Sequence, residues 1–186
     1  MTGSSPPPDF ISADQLLAMG DIGRCELLYG ELVMMSPAGL EHGVVAMRFG
    51  SYLLIHVEAN DLGICPAAET GYKIETDPDL VRAPDASFIR KARLKGLITR
   101  KFFNGVPDLA VEVVSPEDTK REVAEKVNMW LANGTQVVWV ADPKPMTTVI
   151  HRVGQKPQVL GLNDEIRDEP LLPGFVLPLS KVFKLP

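Results

Sequence analysis

Six consecutive residues, Leu109-Ala-Val-Glu-Val-Val114, are apolar with the single exception of Glu112. Bounded by Pro107-Asp108 and Ser115-Pro116, this run reads as a β-strand buried on both faces. Side chains alternate along a strand, so Leu109, Val111 and Val113 share one face while Ala110, Glu112 and Val114 share the other. Glu112 therefore stands in an apolar row. An isolated carboxylate in such a row is strongly disfavoured unless it is protonated, paired or bound to a cation. The run by itself leaves two readings open: a buried ion pair with an Arg or Lys from a neighbouring element, or a functional carboxylate.

The 186 residues, 45% hydrophobic and 23% charged, suit one globular domain with a sizeable core that needs no disulfides. Cys25 and Cys65 have neither CxxC nor metal-ligand spacing, and no apolar stretch follows the opening Met-Thr-Gly-Ser-Ser-Pro-Pro-Pro. A cytoplasmic protein with two reduced thiols is expected. No apolar run approaches the ~20 residues a membrane span requires, which excludes such a span. A net charge of −5 argues against a protein that coats nucleic acid through its overall charge. One basic patch stands out on this acidic chain: Arg90, Lys91, Arg93, Lys95, Arg100 and Lys101 fall within twelve residues that contain no acid. Composition alone favours a solvated loop there.

Along the chain, residues 1–11 read as a disordered Pro/Ser-rich tail and residues 12–186 as one domain. Ser12 and Gln15 form a capping-box signal for a short helix to about Met19. Cys25–Met35 reads as two strands around Gly30, a hairpin. Apolar residues then recur at helical spacing from about Leu40 to Asn60. Strand-like segments follow at Gly63–Ala68 and Gly71–Glu75, then a turn at Asp77-Pro78-Asp79 and a strand at Ala86–Ile89. A second helix is expected to open at Pro116-Glu117-Asp118, with acids in its first turn as the macrodipole favours, and to stop at Asn133-Gly134. Gln136–Ala141 and Thr147–Arg152 read as further strands, and the remainder as short strand-like pieces. The predicted class is α/β, a mixed central sheet flanked by helices with an added N-terminal β-hairpin and short C-terminal strands, or α+β if the early strands form their own sheet.

Three residues combine into a chemical pattern. Asp85 follows Pro84 at the mouth of a predicted strand, Glu112 lies in the buried run, and Lys126 falls on the helix beyond it, sharing a face with Glu122. If that helix packs back over the sheet, the ammonium comes near the Glu112 carboxylate. Such a set suits a hard divalent cation, because Mg²⁺ takes a few carboxylates and keeps several waters. A bound metal lowers the pKa of its water and polarises a phosphoryl oxygen, while a lysine orients the nucleophile or stabilises developing charge. Taken singly, each residue also has an ordinary reading: a Pro-Asp turn, or a surface ion pair on a helix. His42 has no HxxxH partner, and His56 and His151 look incidental, so no zinc site is expected.

The chain resembles the Uma2 family (DUF820), restriction-endonuclease-like proteins of the PD-(D/E)XK nuclease superfamily. The resemblance rests on Gly30-Glu31-Leu32 with Ser36-Pro37, on His42-Gly43, and on Arg82-Ala83-Pro84-Asp85-Ala86-Ser87-Phe88. It continues through Pro107–Pro116, Glu125-Lys126, and Gly134 ahead of Val138-Trp-Val-Ala-Asp-Pro143. It implies a restriction-endonuclease-like core in which Asp85 and Glu112 are metal ligands on adjacent strands, and Mg²⁺- or Mn²⁺-dependent hydrolysis of a DNA phosphodiester. The superfamily lysine two residues after the second acid is Val114 here, so Lys126 is the expected substitute and completes the catalytic set. Glu31, Glu26 and His42 are further candidates for a metal ligand or water-positioning group, and Glu122 for a supporting role. Lys91, Arg93, Lys95, Arg100 and Lys101 are the expected phosphate contacts. DNA is the expected partner and a homodimer the expected assembly, with no organic cofactor. The alternatives are a nuclease fold that binds metal or DNA without cutting, and a structural protein in which Glu112 is an ion-pair member.

Overall fold

The computed structural model describes residues 10–94, 100–167 and 171–184, so most of the tail expected over residues 1–11 and the side chain of Lys95 lie outside the described residues. In chain order the elements are α1 (Ala13–Ala18), β1 (Cys25–Leu28), β2 (Glu31–Met34), α2 (Leu40–Ala59), β3 (Gly63–Ile64), β4 (Tyr72–Glu75), β5 (Leu80–Arg82) and β6 (Ala86–Arg90). They continue with β7 (Phe103–Asn104), β8 (Leu109–Val113), α3 (Lys120–Ala132), β9 (Val137–Asp142), β10 (Thr147–Arg152), β11 (Gln158–Leu160), β12 (Glu165–Arg167), β13 (Val176–Pro178) and α4 (Ser180–Phe183).

The apolar run is β8, and it lies inside a six-stranded sheet of order β11-β10-β9-β8-β6-β3. Strands β8 and β9 are parallel, joined through α3, while β6 runs antiparallel to β8. The alternation along β8 sorts the core into two layers. Leu109, Val111 and Val113 pack with Val45, Phe49 and Leu53 of α2 and with Phe175 and Phe183 near the C-terminus. Ala110 belongs to the opposite layer, with Val127 and Trp130 of α3 and Tyr72, Val138 and Val140. Burying Phe49, Trp130 and Trp139 to 1% exposure or less takes most of each ring out of water, about 2–3 kcal/mol apiece on area alone. Glu112 shares the α3 side with Ala110, which is the side from which Lys126 and Trp130 approach.

A second sheet, order β2-β1-β5-β4-β7, carries the N-terminal hairpin. The Asp77-Pro78-Asp79 turn joins β4 to β5, and β5 pairs with β1 through Leu27 and Val81. Four residues after Arg82, at Ala86, the chain has crossed into the main sheet and begins β6. The two sheets therefore meet at Ala83-Pro84-Asp85.

Several expected boundaries are corrected. The strand expected over Gly63–Ala68 contracts to Gly63–Ile64. Gly63 has φ +156°, and a Cβ there would lie 2.0 Å from the Ile89 carbonyl oxygen, so only glycine permits this edge contact. The second helix begins at Lys120 rather than at Pro116, because Thr119 and Glu122 form a capping box that satisfies its first amides. Asp118 instead closes a turn, accepting from the Ser115 amide at 2.8 Å. Strands β5 and β7, too short to show an alternation, were absent from the sequence reading. The short helix after Ser12 has the expected capping box.

Candidate active site

Five elements, β1, α2, β6, β8 and α3, converge where the two sheets meet. The β6–β8 pairing of Ala86 with Val111 places Asp85 one residue beyond it, opposite Glu112. The Asp85 amide donates to the Val111 carbonyl at 3.0 Å, and the Asp85 carboxylate accepts from the Val113 amide at 2.8 Å. This two-way bond to β8 holds the carboxylate at the sheet end, with only 7% of its side chain exposed. His42, in the first turn of α2, brings Nε2 to 3.3 Å from Asp85 Oδ2. The hydrogen bond to Asp85 raises the pKa of the His42 imidazole above its ordinary value, although burial opposes the shift. Arg24 approaches Asp85 Oδ1 from the chain ahead of β1, at 3.6 Å.

Glu112 is held from α3. Trp130 Nε1–H donates to Oε1 at 2.7 Å, and Lys126 Nζ lies 3.9 Å from Oε2. Trp130 and Lys126 are four residues apart and so rise from one face of the helix. Burial pushes the Glu112 carboxyl up to about 7; the Lys126 charge and the Trp130 bond pull it down, while Asp85 and Glu26 push it higher. Glu112 is thus an incompletely compensated carboxylate that senses two others nearby.

Glu26, on β1, is the third of these and is 8% exposed. Its Oε2 pairs with Arg82 Nε at 2.9 Å and its Oε1 accepts from the Ala83 amide at 3.1 Å. A cleft of about 610 Å³, lined by Glu26, Arg82, Arg121, Glu122 and Lys126 among others, runs along the α3 side of the site.

The site therefore gathers Asp85, Glu112 and Lys126, with Glu26 and His42 beside them. It does not gather the others. Glu31 is exposed at the start of β2. Glu122 is spent on the capping box, its Oε2 accepting from the Thr119 amide at 2.8 Å and from its hydroxyl at 2.7 Å; those bonds lower its pKa. The first part of the basic segment is at the far end of the sheet. Asp85 precedes the first residue of β6 and Arg90 is its last, a separation of about 16 Å at strand rise. There Arg90 and Arg93 bind the buried Asp108 at 2.9 and 3.1 Å, and Lys91 pairs with Asp61. Lys101 pairs instead with Asp14 of α1 at 3.2 Å. Arg100 is exposed.

Sequence reasoning missed Arg24, Arg82 and Trp130. Arg82 stands in the Arg-Ala-Pro-Asp block, and Trp130 lies one helical turn beyond Lys126, a spacing that could have flagged it. Arg24 carried no signal.

Residues 12–180 match the sequence profile of Uma2, described as "Putative restriction endonuclease". The chain belongs to the Uma2 family. Its fold is shared by a DUF820 protein from Anabaena variabilis ATCC 29413, described as a putative nuclease. That crystal structure superposes with a TM-score of 0.79 at 19% identity, covering 93% of this chain and 97% of the other. No curated protein matches. The Uma2 family and the nuclease-like fold together support a nuclease. Among the described residues no helix is long and apolar enough to cross a membrane.

The donor set suits a hard cation. Mg²⁺ accepts one or two carboxylates and completes its shell with water, and Asp85 and Glu112 supply two from adjacent strands. Among the described residues no three His, Cys, Asp or Glu side chains stand gathered as a ready-made cluster. Water or substrate oxygens would complete the shell.

Proposed function

We propose that this Uma2 protein is a Mg²⁺- or Mn²⁺-dependent DNA endonuclease in which Asp85 and Glu112 hold the metal. One observation carries this reading: Glu112, with 12% of its side chain exposed, is partly uncompensated, with Asp85 beside it at the end of the neighbouring strand and a lysine 3.9 Å away. A bound divalent metal would lower the pKa of its water and polarise a phosphoryl oxygen.

The chain's own groups do the positioning. Trp130 fixes Glu112 through Oε1, leaving Oε2 directed towards Lys126. The Val113 amide and His42 fix Asp85. Lys126, arriving from α3 rather than from β8, stands where it can orient an attacking water or neutralise charge that develops on the phosphate. This gives Val114 no part in the chemistry. The proposed partner is duplex DNA, and the proposed active form is a homodimer, since two sites cut both strands most simply. Phosphate contacts orient the DNA without reading its sequence.

The test is conversion of supercoiled plasmid to nicked or linear forms in Mg²⁺ or Mn²⁺ by the wild type, Asp85→Ala and Glu112→Ala, with folding checked by circular dichroism. Cleavage by the wild type and by neither variant supports the reading. Retained cleavage in either folded variant removes that residue from the mechanism.

A further inference from the structure

Most of the described basic segment is not where the phosphate would be. Arg90 lies about 16 Å along the strand from Asp85, Arg90 and Arg93 are tied to Asp108 and Lys91 to Asp61, while Lys101 is paired with Asp14 of α1. Phosphate-binding groups for a site at the meeting of the two sheets must come from nearer residues. Two arginines are there. Arg24 stands 3.6 Å from Asp85 and Arg82 stands 2.9 Å from Glu26, and both side chains still reach solvent, at 24% and 15% exposure. Both line one cleft of about 390 Å³, together with Glu26, Ala83 and Phe102, and Arg82 also lines the cleft along α3.

We propose that Arg24 and Arg82 are the phosphate-binding residues of this site, held as counter-ions of Asp85 and Glu26 until a divalent cation on Asp85 and Glu112 adds positive charge beside them. This rests on the nuclease reading above. The charge arrangement supports it. Arg24 and His42 face Asp85, Arg82 pairs with Glu26, and Lys126 stands 3.9 Å from Glu112. A dication added to this set brings positive charge, which an anionic phosphodiester can neutralise. The geometry supports it as well. A guanidinium carries five N–H donors in a fork that matches a phosphate, more than one carboxylate contact uses. Arg24 is held more loosely than Arg82, since 3.6 Å is beyond hydrogen-bond reach. Coupling of this kind makes DNA affinity depend on the metal, so that an empty site does not hold DNA and the metal-loaded site does.

The experiment uses the full chain, with Ca²⁺ as the metal probe. Ca²⁺ binding is followed by calorimetry, and binding of a labelled DNA duplex by fluorescence anisotropy in Ca²⁺ and in EDTA. The wild type is expected to bind the duplex about tenfold more tightly in Ca²⁺, the worth of one or two charge-assisted hydrogen bonds. Arg24→Gln and Arg82→Gln should each lose most of that tightening, yet bind Ca²⁺ as well as the wild type or better, because a competing cation has been removed. The double variant should also lower the slope of log affinity against log salt by about 1.8 in Ca²⁺ and leave it unchanged in EDTA. That opposite movement of metal and DNA affinity separates phosphate binding from support of the fold.

Variants that keep the tightening overturn the proposal, and so do folded variants that lose Ca²⁺ affinity along with it. If Arg82→Gln does not fold, Arg24→Gln decides alone by the same criteria. A wild type that binds Ca²⁺ with no change in DNA affinity overturns this inference only. A wild type that binds no divalent cation overturns the nuclease reading and this inference with it.

Discussion

Replacing Glu112 by Gln keeps the shape of the side chain and removes its charge, and the structure assigns that change a sign that depends on pH. In the unfolded chain the carboxyl releases its proton near its ordinary 4.5, whereas in the folded protein burial moves release up to about 7. Between those values the folded state holds a proton that the unfolded state has lost, so stability falls as pH rises through the interval. Above it, the ionised carboxylate costs the fold about 3 kcal/mol. Trp130 still finds an oxygen in the amide, and the attraction of Lys126 is already contained in that figure. Glu112→Gln is therefore expected to be about 3 kcal/mol more stable than the wild type at pH 8, a rise in Tm of roughly 6–12 °C for a chain of this length. Near pH 4.5 that advantage should be gone. Urea denaturation of both proteins at pH 5 and pH 8 measures the difference directly. A variant less stable than the wild type at pH 8, or a difference that ignores pH, would refute the reasoning and make Glu112 an ordinary ion-pair residue. A functional site kept at the expense of stability predicts the opposite.

Other residues give independent checks. Lys126→Ala should lower turnover by about a hundredfold while leaving metal affinity within a few-fold, measured by plasmid nicking and calorimetry; unchanged turnover removes the lysine from the mechanism. Because Asp85 raises the pKa of His42 above its ordinary 6.5, that stabilisation is fully present below 6.5 and fades as pH climbs through the raised value. His42→Gln should accordingly cost more stability at pH 6 than at pH 8.5, and equal losses at both would contradict the Asp85 contact. Glu122→Ala breaks the capping box of α3 and should lower the thermal midpoint slightly without altering metal affinity. A loss of metal binding in that variant would return Glu122 to the site.

The sequence spoke most clearly where one principle acted alone. Alternation along Leu109–Val113 sets Glu112 on one face with Ala110, the face that α3 covers, and helical spacing locates α2 to within one residue of its observed end. The i,i+4 geometry of α3 was harder to use. It offered Glu122 and Lys126 as a pair, but the pair that reaches the site is Lys126 and Trp130, because the capping box had already engaged Glu122. What could not be read was the meeting of the two sheets. Glu26 and Arg24 reach Asp85 only because β1 pairs with β5, through a single register pair over a distance of 54 residues in sequence. Strand β5 is three residues long and shows no period. The basic segment shows the reverse: clustered cations suggest a phosphate surface, yet the antiparallel run of β6 carries Arg90 and Arg93 away from Asp85 to the buried carboxylate of Asp108.

The most direct test of the account is calorimetric titration of Mn²⁺ into the wild type and into Glu112→Gln at pH 8, with both proteins confirmed as folded. The account predicts a saturable site in the wild type that Glu112→Gln weakens by at least about tenfold, the loss of one carboxylate ligand. Equal binding by the two proteins, or no binding by either, would contradict it.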